Sequence, residues 1–379
     1  MLRKLNRAFQ DYMRPKRLAL GKWIWDRKEK LTTEGERAAT KENLIEKLDI
    51  KSILFLRYDG KIGDMIINTL MFREIKKQYP EIKIGVVTRG AAKGVIVNNP
   101  HVDKIYDYNK SNSKLKVLAR EIEGEGYDLL VDFSEFLRVK QMMFINLCKA
   151  KFNMGIDKRG WNLFDISLDP GKDFKWTDHI TKRYSAYLGA LGVSAESVGY
   201  DLFFSDDERK YAEKFYSNLG EEKRVVINPY GASKHKTFNT ETLKNISEYV
   251  VSKGWRGIYV YAPDKYEELR KFVEGMGSKN LYIPQGIGSI NHTGAIIAGA
   301  DLVVTPDTSI VHVASALNKP MVCVYPPQGG AYGVDHEVWG PLNENAHMIF
   351  CRDKVSEHDE IDINTFNMAE AKEKIEVLL

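Results

Sequence analysis

From residue 52 onward the chain alternates short, wholly apolar runs with longer stretches in which apolar residues return every three or four positions. The apolar runs predict strands at 52–57, 82–88, 103–107, 128–132 and 152–155, and the helical spacing between them predicts helices at 63–79, 91–98, 112–125 and 137–149. Residues 156–200 are less regular and carry one helical piece, Asp178 to Leu191; they read as the end of a first domain and the crossover to a second. A second series follows, with strands predicted at 224–228, 257–262, 280–283, 301–305 and 321–325 and helices at 206–219, 240–253, 264–274, 291–299, 309–317 and 364–378. Strands that are apolar at every position, not at alternate ones, belong to sheets covered on both faces, and regular β-α alternation makes such sheets parallel. The pattern therefore predicts an α/β chain of two doubly wound, Rossmann-like domains with a cleft between them. The expected division is an extension over 1–50, a first domain over 51–200, a second over 201–363 and a closing helix over 364–379. A length of 379 residues suits two domains.

In such sheets ligands bind beyond the carboxyl ends of the strands, so polar segments at strand exits carry the candidate chemistry. The most informative is Thr305-Pro306-Asp307-Thr308-Ser309-Ile310-Val311-His312, which joins an apolar run to a helical one. Thr308 or Ser309 can cap the helix, and the first-turn N–H groups, reinforced by the helix dipole, attract an anion such as phosphate. Asp307, at the strand tip, can accept hydrogen bonds from sugar hydroxyls. An ordinary capped helix would use the same residues, but a second junction of the same kind lies upstream, in Arg57-Tyr58-Asp59-Gly60-Lys61-Ile62-Gly63-Asp64. Gly60 and Gly63 allow a tight turn and a close approach. Asp64 opens a helix, where its carboxylate is either a cap or a general base facing the cleft. With Asp64 and Asp307 each at a strand exit, one per domain, both can face one cleft.

Three further strand exits are polar. The loop Asn228-Pro229-Tyr230-Gly231-Ala232-Ser233-Lys234-His235-Lys236-Thr237-Phe238 brings cations to the place where the second domain would bind phosphate. Tyr259-Val260-Tyr261-Ala262-Pro263-Asp264 can line a base or ribose pocket, and Ile283-Pro284-Gln285-Gly286 precedes a helix.

Charge changes the picture at one end only. The formal net charge is +4, yet residues 1–30 alone hold ten Lys or Arg against three Asp or Glu, so the remainder is slightly acidic and nucleic acid is a poor partner. Leu2, Leu5, Phe9, Tyr12, Leu18, Leu20, Trp23, Ile24 and Trp25 are interleaved with those cations. Two readings stand: a basic, apolar segment for an anionic membrane surface, or a solvated helical arm that packs on the body or on a second subunit. No apolar run reaches the ~20 residues that span a bilayer, and the start of the chain lacks the apolar core of a signal peptide. Cys148, Cys323 and Cys351 are far apart and match no metal spacing. A cytoplasmic protein is expected, with a peripheral place on the inner face of the inner membrane if residues 1–30 bind lipid.

The pairing of Gly63-Asp64-Met65-Ile66 after the first strand with Asp307-Thr308-Ser309-Ile310-Val311-His312-Val313-Ala314 near the last resembles the heptosyltransferases of glycosyltransferase family 9. Lys236-Thr237-Phe238 is similar to that family's Lys-x-Trp segment, with Phe238 in the aromatic place. The likeness covers roughly residues 52–350; the basic extension before the first strand lies outside the family pattern. The resemblance implies a GT-B fold and an inverting transfer that needs neither metal nor cofactor. The substrates implied are a nucleotide-diphosphate sugar, ADP-heptose, and a lipopolysaccharide core or related lipid-linked glycan as acceptor. It implies that Asp64 is the catalytic base and that Lys236 contacts the donor diphosphate. Thr308, Ser309 and Ile310 would offer it their backbone N–H groups, Asp307 would hold donor-sugar hydroxyls, and His312 would be structural or lie beside the diphosphate. Gly60, Lys61 and Gly63 fall on the acceptor side of the cleft. Two other readings remain: a GT-B transferase with a different nucleotide sugar, and a nucleotide-sugar-binding partner subunit without turnover. A Rossmann oxidoreductase fits poorly, because no Gly-x-Gly-x-x-Gly follows the first strand.

Overall fold

The computed structural model describes residues 2–28, 42–328, 334–352 and 361–379. The first apolar runs form a six-stranded sheet of β1 (Ser52–Arg57), β2 (Lys83–Thr88), β3 (Lys104–Asp107), β4 (Leu129–Asp132), β5 (Phe152–Ile156) and β6 (Ile166–Leu168). The second series forms another, of β7 (Arg224–Ile227), β8 (Arg256–Tyr259), β9 (Leu281–Tyr282), β10 (Leu302–Pro306), β11 (Met321–Tyr325) and β12 (Ala346–Phe350). Every strand pair in both sheets is parallel. The orders are β3-β2-β1-β4-β5-β6 and β12-β11-β10-β7-β8-β9. Taken in sequence these are the same doubly wound order, read from opposite edges, and each reverses direction once: between β1 and β4, and between β7 and β10. At such a reversal the helices leave to opposite faces and a crevice opens at the strand exits.

The predicted elements are present with shifts of a few residues at their ends. Two strands, β6 and β12, escape the sequence pattern. β6 has three residues, and β12 is an edge strand whose residues are mostly half-buried, so neither shows a continuous apolar run. The predicted strand 280–283 shortens to Leu281–Tyr282, also an edge. Every residue of β4, β5, β10 and β11 is buried, as covering on both faces requires. Helix ends follow local chemistry. Ser205 and Glu208 exchange side-chain and backbone bonds to start the helix Asp206–Tyr216, and Gly126, at φ 65°, ends the helix Asn112–Glu125. The closing helix, Met368–Leu378, packs on β11 and β12 and on the helix Thr240–Ser252.

Residues 2–25 form a single helix that packs on the helix Val139–Cys148 of the first sheet. Gly21 is buried there because any Cβ would meet Val139 at 2.6 Å. The Asn146 amide donates to the carbonyls of Trp25 and Arg27, and the buried Asp26 accepts from the Leu163 N–H at 2.8 Å. Thus the body-packed arm is realised for its last turns, while Tyr12, Leu20, Trp23 and Ile24 stay exposed.

Packing predicts opposite outcomes at two glycines. A Cβ at Gly85 on β2 would lie 2.2 Å from the Tyr127 hydroxyl, whereas Gly124, exposed on the helix Asn112–Glu125, has open space around it. Gly85→Ala should cost about 1–3 kcal/mol by overpacking. Gly124→Ala should add about 0.5–1 kcal/mol through backbone entropy. Denaturant melts of the two variants against the parent check both signs.

Candidate active site

The β1-to-helix turn is built by two arginines that the sequence reading left without a role. Arg89, just past β2, donates to the carbonyls of Tyr58 and Asp59 at 2.7 and 2.6 Å, holding the turn in which Gly60 takes φ 80°. Arg57, the last residue of β1, is buried. Its guanidinium donates to Asn68 at 2.8 Å, to the Tyr184 hydroxyl at 2.8 Å, to Asp59 at 3.2 Å and to Asp64 at 3.0 Å, and it lies over the Phe133 ring. Burial opposes its charge, but Tyr184, Asp64 and Asp59 outweigh that cost and hold it protonated more firmly than in water. A charged residue closing an otherwise apolar run, Ser52 to Leu56, was the sequence signal that could have flagged it.

Asp64 sits in the first turn of the helix Ile62–Gln78. One carboxylate oxygen takes the Arg57 bond; the other has the Lys61 ammonium 3.9 Å away. Asp64, Lys61 and Arg57 line a cavity of about 260 Å³ with Ser134, Glu135 and Gln141 from the β4 exit, Arg183 and Tyr184 from the helix Ile180–Leu191, and Trp339 from the second half of the chain. The β4 exit is itself propped from below. Lys158, buried, donates to the carbonyls of Ser134, Glu135 and Ile156 at 2.8, 3.1 and 2.8 Å, and desolvation lowers its pKa. Asp132 accepts from the Tyr58 hydroxyl at 3.0 Å, which ties the β1 and β4 exits together.

Across the cleft, Thr308 caps the helix Ser309–Ala316, its hydroxyl accepting from the Ile310 N–H at 3.1 Å. That bond occupies the Ile310 N–H, whereas the Thr308 and Ser309 N–H groups donate to no acceptor among the described residues. The Asn228 amide, at the β7 exit, reaches Thr305 at 2.9 Å and Thr308 at 3.3 Å, so the loop over 228–238 and the β10 turn form one unit. Lys236 donates to Asp307 at 2.8 Å. The two site residues are therefore paired with each other, and Asp335, whose pKa is raised by burial, stands near both. Phe238 is buried against Phe366 and does not line the cavity at Asp64. The loop over 228–238 and the β8 exit also share a larger opening of about 1010 Å³, lined by Tyr230, Lys234, Ala262 and Asp264. Pro284, Gln285 and Gly286 do not line either cavity.

The two sides touch at Gly63 and His312. A Cβ at Gly63 would lie 2.7 Å from the His312 ring and 3.6 Å from Ser309 Cα, so the close approach that Gly63 permits is to the opposite helix. His312 is buried, with Nδ1 bonded to nothing among the described residues and Tyr200 edge-on to its ring. Desolvation depresses its pKa to about 4, against the opposing pull of Asp64 and Asp307. The imidazole is thus neutral near pH 7 and stands between the two carboxylates. The His179 Nε2–H donates to the Gly340 carbonyl at 3.1 Å and adds a hydrogen bond between the halves.

A family model described as glycosyltransferase family 9 (heptosyltransferase) matches residues 115–364. The chain is 22% identical over 314 residues to lipopolysaccharide core heptosyltransferase OpsX of Haemophilus influenzae, covering 79% of this chain and 87% of that one. It superposes on the glycosyl transferase family 9 structure from Veillonella parvula with a TM-score of 0.72 and 20% identity, over 86% of this chain and 97% of that one. Against E. coli heptosyltransferase WaaC with ADP-2-deoxy-2-fluoro heptose the TM-score is 0.65 at 16% identity, over 86% and 100%. The shared fold is GT-B, as the sequence resemblance implied.

The buried imidazole has a signature in stability. Between the ordinary value of 6.5 and about 4, the folded state binds fewer protons at His312 than the unfolded state does. Its contribution to stability is therefore complete above that window and is lost as pH falls through it. His312→Gln should lose less stability than the parent on acidification across that range, as read from urea midpoints at each pH. Equal losses in the two proteins would mean that His312 titrates normally.

Proposed function

This chain belongs to glycosyltransferase family 9, the heptosyltransferases, and we propose that it transfers heptose from ADP-heptose, with inversion and without a metal, to a hydroxyl of a lipopolysaccharide core or related lipid-linked glycan. Glycosyl transfer follows from the family; the donor, the acceptor and the residue roles are our reading. The observation that carries it is the meeting of two helix starts: Gly63, next to Asp64, packs on Ser309 and His312 of the helix that Thr308 caps.

In this reading the acceptor hydroxyl enters the 260 Å³ cavity and meets the Asp64 oxygen that Arg57 does not hold. That oxygen takes the hydroxyl proton as the acceptor oxygen attacks the anomeric carbon. The Arg57 bond fixes the orientation of the carboxylate. On the opposite face of the sugar the bond to the diphosphate breaks, and negative charge grows on the leaving group. The Thr308 and Ser309 N–H groups, the helix dipole and the Lys236 ammonium meet that charge in a preformed arrangement. Lys236 must first yield its bond to Asp307. Exchanging a carboxylate for a diphosphate keeps the ammonium paired and frees Asp307 to accept from donor-sugar hydroxyls. The base and ribose would extend toward Tyr230 and Asp264. ADP-heptose is favoured by the heptose analogue named with WaaC, and the lipopolysaccharide acceptor by the name of the Haemophilus relative.

Asp64→Asn should lower turnover by on the order of a thousandfold while leaving donor affinity nearly unchanged, measured by mass spectrometry of the product and by calorimetry. Near-parental turnover would remove Asp64 from the base role. Lys236→Ala should weaken donor binding by about tenfold or more, since it deletes a charge-assisted contact to the diphosphate. A panel of nucleotide sugars offered to the parent enzyme tests the donor. Turnover with a hexose donor and none with ADP-heptose would replace the heptose assignment, and turnover with none of them would favour a binding subunit.

A further inference from the structure

We propose that the helical arm Leu2–Trp25 docks the protein on an anionic lipid surface, with the acceptor cavity turned toward that surface. Docking is independent of the transferase reading; the orientation of the cavity rests on it.

The arm has one face for the body and another for solvent. Gly21 is buried against Val139 and Trp25 packs into the first half of the chain. On the opposite side, at helical spacings of four, four and three, stand Tyr12, Lys16, Leu20 and Trp23. Tyr12, Leu20 and Trp23 are 63, 57 and 68% exposed. Residues 12–25 contain no acid, and their four cations, Arg14, Lys16, Arg17 and Lys22, are all exposed. Apolar and aromatic side chains bracketed by cations match the headgroup level of an anionic bilayer. A second copy of the same arm is a poor occupant, because two strips of like charge would repel. No helix among the described residues is long and apolar enough to cross a membrane, so the arm would lie on the surface and not span it.

Direction links the arm to the cavity. Gly21 meets Val139, at the start of the helix Val139–Cys148, while the Trp25 and Arg27 carbonyls meet Asn146, near its end. The two helices therefore run in the same sense, and the residues before Gly21 extend past the start of Val139–Cys148. For residues 12–20 that overhang is roughly 14 Å at the helical rise. The start of Val139–Cys148 is the end that carries Gln141, Glu135 and Ser134 into the acceptor cavity. In the same loop Phe136, next to the cavity residue Glu135, is 82% exposed. The arm and the loop that carries Phe136 thus lie at the same end of the helix Val139–Cys148.

The test is flotation of the full chain, without donor or acceptor, on vesicles of phosphatidylglycerol and, separately, of phosphatidylcholine. Expected is binding to the first and little to the second, weakened by salt. Lys16→Glu with Arg17→Glu should reduce binding about tenfold or more. Leu20→Ser with Trp23→Ser should reduce it also, and both double variants should keep the urea midpoint of the parent, which shows that they fold. Phe136→Ser should weaken flotation if the cavity lip reaches the lipid. No binding to phosphatidylglycerol, or binding that both arm variants retain, overturns the docking; a change of molecular mass in the arm variants assigns the strip to a second copy and overturns it equally. Unchanged flotation of Phe136→Ser overturns the orientation. None of these results depends on sugar transfer, so a failed transfer assay with intact flotation would strike only the catalytic reading.

Discussion

Two helices begin at the same place from opposite sides, and the contact between Gly63 and His312 lets them do so. Each helix start carries the partial positive charge of unpaired N–H groups. Bringing two such ends together is unfavourable unless negative charge lies near both. Asp64 in one first turn and Asp307 just before the other supply that charge, and the Arg57 and Lys236 side chains bind those carboxylates in turn. His312, between them, contributes no charge of its own near neutral pH, because burial keeps the imidazole deprotonated. The cleft is thus a nearly neutral arrangement of strong charges, poised to accept an anionic ligand by exchanging one partner for another.

The repeated strand order explains why the charges converge. In both halves the direction of winding reverses beside the first strand of the half, between β1 and β4 and between β7 and β10. Asp64 and Ser134 leave the first reversal; Asn228, Lys236 and Asp307 leave the second. The two sets of strand exits meet where Gly63 packs on His312 and Ser309, so loops far apart in the chain come together. The supports beneath them are buried cations: Arg57 under the β1 exit and Lys158 under the β4 exit, each bonded to three or more acceptors. Removing an acceptor from such a cation would leave buried charge unpaired, which makes these loops stiff in a way that exposed loops are not.

Much of this was legible in the residues. Continuous apolar runs gave away the parallel, twice-covered sheets, and the polar strand exits singled out Asp64, Lys236, Asp307 and Thr308, which stand around the contact of Gly63 with His312. Edge strands β6 and β12 were not legible, since a strand with one neighbour and partial cover needs no continuous apolar run. Arg57 was visible only as an oddity, a charge ending an apolar strand. The Lys158 prop was invisible, because its acceptors are backbone carbonyls, which no side-chain pattern reports.

By itself, then, the order of residues determined the local units: which runs are strands, where helices start, which side chains stand at strand tips, and that the arm carries cations among apolar residues. These follow from periodicity, capping and backbone chemistry, whose reach is a few residues. Tertiary structure decided the partnerships: Arg57 with Asp64, Lys236 with Asp307, Gly63 with His312, and the arm along Val139–Cys148 in one sense and not the other. Those depend on how two sheets and their loops pack in three dimensions, where groups distant in sequence share one desolvated space and their charges must be balanced together.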